Sequence, residues 1–460
     1  MNHAQQLGEA KISSLLIKFS VPAVIGMLVM ASYNVVDRIF VGNSISGSLG
    51  IAGITICFPI MLITMALIIL VGIGANALVS IRLGEGNKNE AEHIIGNAMF
   101  LFIVISLSIT VLGLAFLDPM LQLLGASENV LPYAKEYMQI ILLGTIFQST
   151  SFGLNNFIRG EGNPKMAMYT MLLSAVLNAV FCAVFIFGFG MGVGGSAIAT
   201  VLAQVCSSLW VLSYFFSNKS SLKIRLKNMA PNKAIITKII TLGSAPFLMQ
   251  LAASLVTVIL NISLMKYGGD IAISGIGIVT SIQTLILMPV IGINQGSQPI
   301  IGFNYGAKKY DRVKEAFKLA ILASTVLAII GFIFVEIFPV QIVELFGKNI
   351  NKELMDFTVY ALRVFFMMLP IIGFQIVSAN YFTAVGKPKQ SAFLNLSRQL
   401  IILIPAILIL PLFFGIHGIL FSAPVADFVA SIITGVLIYK ELKQLDDKHE
   451  ERLSAQDIAP

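Results

Sequence analysis

Between Ile17 and Tyr439 the chain passes repeatedly through runs of about 18 or more mostly apolar residues, and this excludes nearly every water-soluble fold. A run of that length, coiled at about 1.5 Å per residue, crosses the roughly 30 Å of a bilayer's hydrocarbon. Hydrocarbon offers the backbone no hydrogen-bonding partner, so only helices and closed barrels cross it, and runs this long are helices. Charge agrees. Asp, Glu, Lys and Arg make up 12% of the 460 residues, against about 25% in soluble domains. The reading is an all-α polytopic membrane protein.

Twelve spans can be drawn, at roughly 15–40, 50–80, 91–116, 132–158, 167–189, 193–216, 234–263, 272–302, 314–339, 356–382, 391–413 and 417–439. They divide the chain into a six-helix N-terminal lobe (1–216), a basic linker (217–233), a six-helix C-terminal lobe (234–440) and a polar tail (441–460). Lys219, Lys223, Arg225, Lys227, Lys233 and Lys238 fall on one side of a twelve-span arrangement. Lys308, Lys309, Arg312, Lys314, Lys318, Lys387, Lys389, Lys440, Lys443 and Lys448 fall on the same side. The opposite side has only Lys135, Lys266, Lys348 and Lys352. Basic residues gather on the cytoplasmic face, so both termini and the linker are expected there. The same placement accounts for the formal charge of +7 without a nucleic-acid partner. Residues 1–14 lack the apolar core and cleavage site of a signal peptide and read as retained. Cys57, Cys182 and Cys206 lie in apolar runs, as packed thiols do.

The halves echo each other. Gly72-Ile73 and then Gly86-Asn87-Lys88 match Gly292-Ile293 and then Gly306-Ala307-Lys308, 220 positions on. Gly162-Asn163-Pro164-Lys165 matches Gly386-Lys387-Pro388-Lys389, 224 positions on. Six spans separate the copies, so both have one orientation, which implies pseudo-symmetric lobes around a central cavity suited to alternating access.

Asp37 breaks the apolar pattern. It sits about 20 residues into the first run, and a carboxylate at membrane depth is costly unless it faces water or the bundle interior, which marks a transport or ion site. The blander alternative puts Asp37 and Arg38 just past the hydrocarbon. Pro22 removes a backbone hydrogen bond fifteen residues earlier. It reads either as a hinge that responds to Asp37 or as the source of ordinary curvature. In the second half Arg398 and Asp427 are placed to be buried, where pairing lowers the cost of each. Nineteen methionines, Met27, Met30, Met61, Met65 and Met249 among them, supply adaptable apolar wall. Gln283, Gln375 and Asn380 are polar wall candidates. No metalloprotease, nucleophile-elbow or Walker A spacing occurs, so the expected energy source is an ion gradient and the chain reads as a non-enzyme.

Several segments together resemble the multidrug and toxic compound extrusion (MATE) family, in particular its bacterial MepA-like members. They are Asn34-Val35-Val36-Asp37, Gly84-Glu85-Gly86-Asn87, Phe157-Ile158-Arg159-Gly160-Glu161-Gly162-Asn163-Pro164, the segment Ala197 to Gln204, and Ala423-Pro424-Val425-Ala426-Asp427. The resemblance extends from Pro22 to Tyr439 and implies a twelve-helix exporter that exchanges cationic or amphiphilic drugs for H⁺ or Na⁺. It implies a coupling site formed by Asp37, Tyr33, Asn178 and Thr200, with Asp37, Asn178 and Thr200 as oxygen ligands if Na⁺ is the ion. Where the family usually has a second acid four residues after the asparagine, this chain has Cys182, which favours proton coupling. Membrane helix glue is the plainer role for Asn178 and Thr200. The protein is expected to work as a monomer among membrane lipids. The rival class is a lipid-linked intermediate flippase of the same superfamily, which typically shows more cavity-facing arginines and often fourteen spans.

Overall fold

The computed structural model describes residues 3–42, 44–124, 126–217, 220–345 and 352–457, but not the side chains at 3–5, 32–39, 42, 47–48, 270, 448–449 and 451–457. Its longer helices are α1 (Ile12–Gly42), α2 (Gly47–Gly84), α3 (Lys88–Ala115), α4 (Leu131–Gly160), α5 (Pro164–Cys182) and α6 (Gly192–Phe216). There follow α7 (Lys233–Gly269), α8 (Ile271–Gly306), α9 (Tyr310–Ile337), α10 (Lys352–Phe366), α11 (Leu369–Ala384), α12 (Pro388–Leu396), α13 (Ile404–Phe414) and α14 (Ile416–Asp457). Among the described residues ten helices are long and apolar enough to span a membrane, and the pair α10–α11, bent by 48°, makes eleven. The expected span 132–158 corresponds to α4, which is 30 residues long but is not among those ten or eleven. Polar side chains along its length lower its hydropathy.

The chain forms two compact units. One comprises Met1–Glu9 and Ile25–Phe247, the other Ala10–Val24 and Leu248–Pro460. In the first, α2, α3, α4 and α6 close around Ile68, Val71, Phe102, Phe157 and Phe215. In the second, α8, α9, α10, α11 and α14 bury Ile276, Val279, Phe366 and Leu420. A Cβ on Gly243 would lie 1.7 Å from the Leu70 carbonyl oxygen, so α7 reaches α2 only because that position has no side chain.

The repeated motifs form one turn, made four times. Asn87, Asn163, Lys309 and Lys387 cap α3, α5, α9 and α12 with ψ of 70°, 68°, 68° and 70°. A residue at positive φ precedes each cap: Gly86, Gly162, Lys308 and Gly386. The motif spacing pairs Gly86 with Gly306. The backbone pairs it with Lys308, an offset of 222, because the left-handed residue and not the glycine defines the turn.

The basic linker is fastened to the first unit. Glu161, fully buried just after α4, accepts hydrogen bonds on Oε2 from Ser220 Oγ (2.8 Å) and the Ser221 and Leu222 amides (3.2 and 3.3 Å). Glu92 accepts from the Lys223 amide (3.2 Å) and faces Arg225 Nε at 3.7 Å. Asn97 donates to the Asn228 carbonyl (3.2 Å) and accepts from the Asn232 amide (2.7 Å). Burial pushes the Glu161 carboxyl up, against the opposing pull of the hydrogen bonds it accepts from Tyr214, Ser220, Leu222 and Ser221.

Candidate functional site

The first unit encloses a cavity of about 280 Å³ bounded by α1, α2, α4, α5 and α6. The polarity of α4 has a direction: Gln148, Ser151, Asn155 and Arg159 recur at three- and four-residue spacing and all line the cavity. Arg159 is buried, and its Nη2 donates to Asn156 Oδ1 at 2.8 Å. Asn155 is 5% exposed, and its Oδ1 accepts no hydrogen bond among the described residues. A buried acceptor left open toward a cavity suits a donor brought in from outside the protein.

Asn178 on α5 and Thr200 on α6 both line this cavity, and both are buried. Asn178 Nδ2 donates to Thr200 Oγ1 at 3.1 Å, and Cys182 Sγ donates to Asn178 Oδ1 at 3.7 Å. These two expected site residues are therefore neighbours, with the thiol one turn away. The other two, Tyr33 and Asp37, belong to α1, but their side chains lie outside the described residues. Pro22 is buried within an unbroken α1. Met27, Met30, Met61 and Met65 from the sequence reading line the same cavity, and Met138 and Met171 join them. Unbranched thioethers repack readily, so the wall can follow ligands of different shape.

The sequence alone assigns no role to Arg159 or Asn155. The available signal was the polar repeat along the least apolar span, which periodicity shows as one face of a helix.

The second unit has a smaller cavity of about 100 Å³. Met249, Gln375 and Arg398 line it, whereas Gln283 and Asn380 line neither cavity. Asn380 instead donates to its own helix at the Ile376 carbonyl, 3.0 Å away. Arg398 Nε donates to Asp427 Oδ1 at 2.5 Å, with Asp427 2% exposed. Arg363 lies in the last turn of α10 and faces Glu336 at 3.7 Å. The three cysteines are free, and no cluster of His, Cys, Asp and Glu suited to a metal ion occurs among the described residues.

Comparison with known proteins agrees with this architecture. The MatE family model matches the chain twice, over residues 22–184 and 246–409. The matches begin 224 positions apart, as do the turns at Gly162 and Gly386. The multidrug export protein MepA of Staphylococcus haemolyticus (strain JCSC1435) is 26% identical over 431 residues, covering 94% of each chain. A solved structure of the MATE multidrug transporter DinF-BH is 41% identical with a TM-score of 0.86, over 93% of this chain and 95% of that one. A crystal structure of MATE in the straight conformation is 25% identical with a TM-score of 0.90, over 96% and 98%. With one family matched in both halves of a helical membrane chain, the protein belongs to the MatE family, whose members are transporters and not enzymes.

Proposed function

We propose that this chain is a secondary active multidrug exporter that exchanges cationic or amphiphilic compounds for H⁺ or Na⁺ by alternating access, with Asp37 as the coupling carboxylate. The observation that carries the reading is the first cavity, where the Asn178–Thr200 pair sits in a methionine-rich wall. The names of the relatives support it: one is a multidrug export protein, another a multidrug transporter. In this reading α4 is the twelfth span, the helices form two six-helix lobes around a central cavity, and 217–233 joins them. The termini lie in the cytoplasm, the protein works as a monomer in the plasma membrane, and Tyr33 hydrogen-bonds Asp37. Pro22 lets α1 change packing when Asp37 is neutralised.

Arg159 favours the proton over the sodium ion. A fixed guanidinium lining the same cavity raises the electrostatic cost of a further metal cation there. A proton neutralises a carboxylate without adding a bound ion. If Na⁺ were carried instead, Asp37, Asn178 and Thr200 would be its oxygen ligands.

The test is ethidium efflux from proteoliposomes under imposed H⁺ or Na⁺ gradients, comparing wild type with Asp37→Asn. Efflux driven by the H⁺ gradient and abolished in Asp37→Asn is the expected result. Full efflux by Asp37→Asn under either gradient overturns the coupling role. Lipid-headgroup translocation without any drug efflux would favour the flippase reading instead.

A further inference from the structure

The second unit's cavity is the repeat counterpart of the first, with its hydrogen-bonding character reversed. Eight of the ten residues lining it lie 224 positions after a residue lining the first cavity. The other two, Met249 and Leu287, lie 222 positions after Met27 and Met65, the offset of the turn at Lys308. A chance hollow would not reproduce the lining of its counterpart position by position. The changes within this shared frame are therefore informative.

In the first cavity the open polar atom is an acceptor, Asn155 Oδ1, and its counterpart in the second is the blank Ala379. In the second cavity the open atom is a donor. Gln375, counterpart of Ser151, is 6% exposed, and its Nε2 has no hydrogen-bond partner among the described residues. Arg398 stands where the first cavity has Ser174. Its Nε is taken by Asp427, which replaces the cavity-lining Ala203, while its two Nη nitrogens have no partner among the described residues. Asn395 commits its Nδ2 to the Ser391 carbonyl at 3.0 Å. Arg398 occupies the π-helical turn Ser397–Leu403, just before Pro405, whose missing N–H interrupts the regular ladder.

A buried amide donor and the open fork of a guanidinium, beside walls of Met249, Leu287 and Ile372, call for an oxygen acceptor on an apolar body. Two parallel N–H groups match a carboxylate. Asp427 already balances the charge of Arg398, so what holds a carboxylate here is the hydrogen bonds and the burial of its apolar body, and a small inorganic anion brings no such body. We propose that this second-unit cavity is a binding site for the carboxylate end of apolar organic acids, held by Gln375 Nε2 and the Arg398 Nη groups. The claim goes beyond the export reading and does not rest on it.

The experiment is fluorescence titration of the purified full-length protein in detergent with 7-(diethylamino)coumarin-3-carboxylate, and in parallel with ethidium, a cation without a carbonyl acceptor. Gln375→Leu keeps the approximate size of the side chain and removes the donor. It should weaken the coumarin acid at least about tenfold, the cost of one charge-assisted hydrogen bond, and leave ethidium unchanged. Met249→Trp fills the cavity without touching the polar groups and should exclude the coumarin acid alone. The proposal is overturned if wild type does not bind the coumarin acid, if both variants bind it as wild type does, or if ethidium is lost in parallel. A failed export assay with this titration as expected would sink the transport reading and leave the site standing.

Discussion

The residues that bear on function here are polar groups in places where a lone polar group is costly. Arg398 and Asp427 show the principle. A buried pair gains little over an apolar substitute, but removing one partner leaves the other charged and unmatched. Arg398→Leu alone should therefore lower stability by about 3–5 kcal/mol, whereas Arg398→Leu with Asp427→Leu should recover most of that loss. Thermal unfolding in detergent measures both, and equal losses would contradict the pairing. Asn178 and Thr200 are different: each satisfies the other, with Cys182 on the remaining amide oxygen. Spacing alone did not require Asn178 and Thr200 to meet, since a residue on α5 and one on α6 become neighbours only through packing.

At the scale of elements, the recurring turn is the clearest link from sequence to structure. A helix ends, one residue takes positive φ, and the next caps the following helix, with Asn87 and Asn163 accepting from the Glu90 and Met166 amides. Three of the four copies place glycine at the left-handed position, where it meets no Cβ penalty; the fourth has Lys308 at φ 56°. Lys308→Gly should raise stability by about 1 kcal/mol, read as a higher unfolding temperature. An unchanged or lower temperature would mean that the lysine's contacts outweigh the backbone strain. The polar stripe of α4 is the other lesson at this scale. It lowers the helix's hydropathy while giving the first cavity its hydrogen-bonding wall.

At the scale of the molecule, the segment between the halves is a docked strap on the first unit, held by Glu161, Glu92 and Asn97. Burial raises the Glu161 pKa, so the docked state holds its proton more tightly than the undocked chain does. The stabilisation from that proton is complete at acid pH and is lost as pH rises through the raised value. Hydrogen exchange at residues 220–228, corrected for its intrinsic pH dependence, should show protection falling as pH rises above the ordinary carboxylate range. Glu161→Gln should flatten that profile; an equal slope in the variant would assign it to another group.

By itself, the sequence determined the class and most of the helices. Apolar runs long enough for a bilayer leave the backbone no alternative to the helix, and glycine and asparagine mark the turns at fixed offsets. It also showed the repeat, because duplicated turns need the same residue types at corresponding positions. Only the tertiary structure decided which side chains share a space. Helix packing sets which face of α4 looks inward, brings Asn178 to Thr200 and Arg398 to Asp427, and leaves Asn155 and Gln375 unmatched in two corresponding cavities. Hydropathy is a property of each segment, whereas a cavity exists only where several segments fail to fill the space between them.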